Sequence, residues 1–137
     1  MARSSLSDRF ASEMLRVGVV EEHPSQFNAT PALWVEGSEF ANFHPRGRVY
    51  LRLTRKVIAG ERARLRGEAN VELRSGDWIM IALRRQSDLP RALELGALAV
   101  AANRTRPGTR RKSVPDDRAL ARRRRQHGSS AHDLDAE

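Results

Sequence analysis

Two residues with different chemistries stand two positions apart in the segment SEFANFH: Asn42 and His44, the latter just before Pro45. On an extended chain that spacing sends both side chains to one face, about 7 Å apart along the strand, near enough to touch one small ligand together. Imidazole is the side chain whose unperturbed pKa lies near neutrality, which makes His44 the candidate catalytic residue, as general base or hydrogen-bond donor. Asn42 would orient a carbonyl, and the rings of Tyr50 or Trp78 would stack on an aromatic ligand. Strict alternation puts Glu39 on the opposite face, so it joins the ligand-binding group only if a bulge re-aims it. A plainer reading stays open, in which His44 bonds to backbone in a turn and Trp78 is core.

Other chemistries are poorly supplied. There is no cysteine, hence no thiol nucleophile, disulfide framework or thiolate metal site. His23, His44, His127 and His132 are far apart in sequence and match no zinc-ligand spacing, so no metal and no cofactor is expected. Neither a Gly-x-Ser-x-Gly elbow nor a Gly-rich phosphate loop is present.

The elements that must position these side chains follow from period. Residues 32–53 divide into three short strands. Residues 32–35 are apolar and end at Glu36-Gly37-Ser38, which supplies a hairpin glycine. Residues 39–44 alternate, with Phe40, Asn42 and His44 on one side and Glu39, Ala41 and Phe43 on the other. After the turn signal His44-Pro45-Arg46-Gly47, residues 48–53 alternate again, Val49, Leu51 and Leu53 opposing Arg48, Tyr50 and Arg52. An antiparallel meander with one packed and one polar face satisfies this pattern.

Around the meander, residues 5–17 predict an amphipathic helix with Leu6, Phe10, Met14 and Val17 on one side, and Ser5 with Asp8 fits a capping box. Residues 19–31 read as a polar connection with room for a short strand near Phe27. Thr54 can cap a helix to about Leu65, although Arg55 and Lys56 oppose the dipole at its start. Val71 and Leu73 allow a strand, Ser75-Gly76 signals a turn, and the unbroken apolar run in residues 77–83 predicts a central strand covered on both faces. Ser87 or Asp88 then caps a helix over residues 89–103, with Leu89, Leu93, Gly96 and Val100 inward. Leu95, Leu98 and Ala102 fall to the side, so the chain is expected as a monomer or a weak homodimer, the apolar excess being either a dimer contact or a wide buried face.

The chain has 137 residues, enough for one domain of about 100 residues and a tail. Its formal net charge of +8 is unevenly spread: 15 basic against 12 acidic residues up to Asn103, and 10 against 5 beyond it. Composition therefore separates a domain, residues 1–103, from a basic tail, residues 104–137, poor in large apolar side chains and expected to be disordered. Ser113 to Gly128 carries helix start and stop signals but has little to bury. Arg104, Arg106, Arg110, Arg111, Lys112, Arg122, Arg123, Arg124 and Arg125 could neutralise phosphates, which makes non-specific nucleic-acid association the alternative function. No run reaches membrane-spanning length and no signal-peptide pattern opens the chain, so a cytoplasmic, non-membrane protein is expected.

Glu39, Phe40, Ala41 and His44, followed by a strand with Leu51 and Leu53, a short helix, GDWIMI with Trp78, and an apolar helix, resemble the luciferase-domain family, small bacterial proteins named after the domain of fungal luciferases. The resemblance covers residues 32–103. It implies a paired-histidine centre; fungal members oxidise a hydroxylated pyrone with molecular oxygen, and small bacterial members have no shared established activity. Asn42 stands where the pattern has its first histidine, and no histidine lies between Leu53 and Trp78. The implied function is an oxygenase-like or non-catalytic domain that binds a small aromatic or pyrone-like ligand, in a pocket between the meander and the helices. The fold expected is α+β, an antiparallel sheet of four or five strands with helices mainly on one face.

Overall fold

Alternating and apolar runs build one antiparallel sheet of six strands, and three helices supply the rest of the core. The strands are β1 (Val20–Pro24), β2 (Pro31–Val35), β3 (Ser38–His44), β4 (Arg48–Arg52), β5 (Val71–Leu73) and β6 (Trp78–Ala82); the helices are α1 (Ser5–Leu15), α2 (Arg55–Arg66) and α3 (Leu89–Asn103). This computed structural model describes residues 3–104. The expected helix at 113–128 and the tail arginines assigned to phosphates, apart from Arg104, lie outside them.

The sheet order is β1-β2-β3-β4-β6-β5. Hairpins join β1 to β4 in sequence, α2 then carries the chain to the far edge, and β6 returns between β5 and β4. The fold class is α+β as expected, with one strand more than the upper count. The added strand is β1, in a stretch read as connection; Phe27, the expected strand position, lies in the turn that follows it.

One face of the sheet is dry. Leu33, Val35, Ala41, Phe43, Val49, Leu51, Ile79 and Ile81 point to it and join Phe10 and Met14 of α1, Ile58 and Leu65 of α2, and Leu89, Leu95 and Ala99 of α3 in one cluster. Each of these side chains larger than alanine, when fully buried, contributes about 1.5–3 kcal/mol. Helix α1 crosses α3 closely at Gly96, where a Cβ would stand 2.8 Å from the Met14 sulfur, so glycine sets that approach.

Several local expectations shift for physical reasons. Ser4, not Ser5, caps α1, its Oγ accepting from Ser7 N at 3.1 Å. Asp8 pairs with Arg3 at 2.9 Å instead of closing a capping box. Thr54 lies at φ 76° and makes no side-chain cap bond; Asp77 Oδ1, just before β6, accepts from Arg55 N at 2.9 Å in its place. Asp88 bonds to the N–H groups of Arg84 and Arg85, so its carboxylate closes the turn before α3 and does not cap the helix itself. Strand β6 is second from the edge, and on its outer side Trp78 and Met80 are only half-buried, so it is not covered on both faces. Leu95 is fully buried while Leu93 is only partly so, which widens the inward face of α3 and uses apolar surface reckoned as spare. Among the described residues the one exposed large apolar side chain is Val17.

Candidate functional site

The sheet's second face carries the polar residues, and a bulge decides which. Between β2 and β3 the pairing runs Leu33 with Ala41 but Trp34 with Glu39, leaving Phe40 as an extra residue on β3. Phe40 turns into the core, and Glu39 shifts to the face of Trp34 and Asn42. Simple alternation, which put Phe40 with Asn42 and Glu39 with Phe43, is corrected at this point. From Ala41 onward it holds: Asn42 lies opposite Tyr50, His44 opposite Arg48, and Tyr50 opposite Met80, all on the face away from the helices. Tight turns hold this register. At Gly47, φ 72°, a Cβ would come within 2.5 Å of the Leu83 carbonyl oxygen, so the β3–β4 turn can accept glycine alone without movement.

Glu39 is the deepest charge-bearing group here, 2% exposed. Four donors converge on it: Ser25 Oγ at 2.7 Å and Asn42 Nδ2 at 3.1 Å donate to Oε2, Gln26 N donates to Oε1 at 2.8 Å, and the Gln26 side chain adds a further bond. Burial outweighs these bonds and pushes its pKa up to about 7. Ser25 and Gln26 belong to the β1–β2 turn, folded by Ser25 Oγ accepting from Phe27 N at 3.0 Å and anchored where Asn28 Nδ2 meets the Phe43 carbonyl.

The donors around Glu39 fix the next link. Since Asn42 presents its amide N–H to the carboxylate, its oxygen is left to face His44, and His44 Nε2 donates to it at 2.8 Å. An amide oxygen can only accept, so in this pair the ring nitrogen carries the proton. The half-buried His44 ring sits 4.3 Å from the ring of Tyr50, tilted by 39°. Tyr50 is buried, and its hydroxyl accepts from Arg74 Nη2 at 3.0 Å. Arg74 also salt-bridges Glu72 at 2.7 Å. A continuous chain thus runs from a buried carboxyl through an amide and an imidazole to a phenol and a guanidinium.

Glu39, Asn42, His44 and Tyr50 are brought together. Trp78 shares their face but stands further along β6, opposite Arg52, where it packs edge-on against Phe27 at 5.7 Å. The same turn therefore touches both ends of the group, through Ser25 and Gln26 at Glu39 and through Phe27 at Trp78. The pocket expected between meander and helices is filled by core side chains; the polar group lies on the sheet's other side.

Sequence reasoning missed Ser25, Gln26, Trp34 and Arg74. The first two sit in a Ser/Asn-rich turn whose composition signals local hydrogen bonding but not a long-range target. Trp34 is fully buried opposite Glu39, with its indole N–H lacking a hydrogen-bond partner among the described residues. An apolar strand with an aromatic opposite a carboxylate was the available signal. Arg74, one residue past the end of β5, follows Glu72 by two and bonds to it.

Among the described residues no group of three or more His, Asp or Glu side chains could hold a metal ion, and no helix is long and apolar enough to cross a membrane. Compared with protein-family models, curated proteins and solved structures, the chain matches none.

Proposed function

We propose that this is a small-ligand-binding domain of the luciferase-domain kind, which takes a hydroxylated aromatic or pyrone-like molecule on the polar face of its sheet. The observation that carries this reading is the hydrogen-bonded chain from Glu39 through Asn42 to His44. A buried carboxyl bound to an amide that in turn bonds the imidazole holds the half-buried His44 ring in one orientation. A weakly acidic hydroxyl on a flat ring suits such a ring, by hydrogen bond and by contact with its face. The resemblance to a family whose fungal members act on a hydroxylated pyrone supports the same ligand class. Asn42, in place of a second imidazole, orients and does not transfer protons, so binding is assigned and oxidation is not.

Titration with phenol and with a hydroxypyrone, followed by NMR, should give saturable shifts at His44, Tyr50 and Trp78. His44→Gln should weaken binding about tenfold, the worth of one good hydrogen bond. Unchanged affinity in that variant would sink the reading. Asn42→His, which restores the family pattern, should tighten it.

A further inference from the structure

A concave site lies on the helix side of the molecule. The half-open cleft between α2 and the β5–β6 turn holds about 440 Å³ and is lined by Arg55, Ile58, Ala59, Arg62, Leu73, Arg74 and Gly76. That volume falls within the range of small-molecule sites, about 300–1,000 Å³. Its composition follows from helical spacing: residues 55, 58, 59 and 62 recur at three and four and so share one face of α2. Arg55 and Arg62 stand two turns apart, about 10 Å along the axis, with Ile58 and Ala59 between them.

The charge balance on α2 is one-sided. From Arg55 to Arg66 the helix has Arg55, Lys56, Arg62, Arg64 and Arg66 against Glu61 alone. The carboxylates of its surroundings are spent elsewhere. Glu61, Glu68 and Glu94 all converge on Arg91, at 3.5, 2.6 and 2.5 Å. Glu72 holds Arg74, whose guanidinium reaches Tyr50 on the sheet's other face. Asp77 holds Arg52 at 3.0 Å and the backbone N–H of Arg55. Among the described residues, neither the Arg55 nor the Arg62 guanidinium has a carboxylate partner. The Arg55 guanidinium lies beside the turn at Gly76, 3.8 Å from where a Cβ would stand. Two forked donors thus flank an apolar floor in a cleft with no anion of its own.

We propose that this cleft binds a small organic oxyanion, a phosphate monoester or a carboxylate on an apolar body, with Arg55 and Arg62 holding the charged group and Ile58, Ala59 and Leu73 receiving the rest. Guanidinium forks match the paired oxygens of both groups. Arg74 is the residue it shares with the chain that reaches His44; His44→Gln alters neither Arg55 nor Arg62 and should leave the cleft intact, so the two readings fail independently.

The test is an NMR titration of the full chain with phenyl phosphate, benzoate and inorganic phosphate at moderate salt, read at the amides of Ala59, Leu73 and Gly76 so that binding at other basic residues does not count. Saturable shifts there with either aromatic anion, and weaker binding of inorganic phosphate, are expected; the tighter of the two assigns the oxyanion. The double variant Arg55→Gln/Arg62→Gln should lose affinity about tenfold or more, since hydrogen bonds to charged groups are the strong ones. Ala59→Leu, at an exposed helical position, keeps every charge but fills the floor and should also abolish binding. Absent or non-saturating shifts, or affinity unchanged in both variants, would overturn the proposal.

Discussion

The two faces of the sheet are made by the same strands, yet they close in opposite ways. On the helix side, Val49, Leu51, Ile79 and Ile81 meet three helices and are sealed by non-directional apolar contact. On the other side, Asn42, His44 and Tyr50, which alternate with the core residues Ala41, Phe43, Val49 and Leu51, are joined by a directed hydrogen bond and a ring contact and capped by a turn. The first face tolerates any well-fitting hydrocarbon; the second depends on which atom donates and which accepts. Stability should therefore reside mainly in one face, and response to pH and to ligands in the other.

The sharpest way to break this contrast is to truncate the dry face. Leu51→Ala, at a fully buried site, should cost about 2–5 kcal/mol in urea unfolding at any pH near neutrality. A loss that depended strongly on pH would show that the faces are not separable.

Next in size is the proton on Glu39. The unfolded chain releases it near 4.5 and the folded state only near 7, so between those values the folded state binds more protons. Stability should consequently fall as pH rises through that window and level off above it. The total loss is about 3 kcal/mol at most for a shift of that size. Glu39→Gln should flatten the profile. Because a glutamine amide beside Ser25 and Asn42 favours a flipped Asn42, the same variant should also move the His44 proton from Nε2 to Nδ1, visible in imidazole nitrogen shifts. An unaltered slope between those pH values would place the titration elsewhere.

The smallest effect sharpens the comparison. Tyr50→Phe keeps the ring against His44 and removes the hydroxyl that accepts from Arg74. It should cost about 1 kcal/mol by thermal or urea unfolding and leave the pH profile in place. A cost as large as that of Leu51→Ala would mean that the polar face carries the fold.

Much of the dry face was legible in the sequence. Alternation in residues 48–53 named Val49, Leu51 and Leu53 as inward, and the turns at Gly37, Gly47 and Gly76 stand where their glycines announced them. The pairing of Asn42 with His44 was legible for the same reason, period two over a short distance. What escaped were features decided at long range. The bulge at Phe40 depends on that ring's burial in the core, and Glu39's partners come from a turn more than ten residues upstream. Likewise Asp77 replaces Thr54 as the partner at the start of α2 across 22 residues. Local periodicity contains no information on such meetings.

Phe40 also makes the polar group indifferent to a shortened reading frame. Deleting that one residue would leave Ser38, Glu39, Ala41 and Asn42 in unbroken alternation with Glu39 still across from Trp34, so the carboxylate would keep its place beside the carboxamide. The loss would fall on the oily interior, which would forfeit one aromatic ring. A change of one codon would thus weaken the fold and spare the groups that do chemistry.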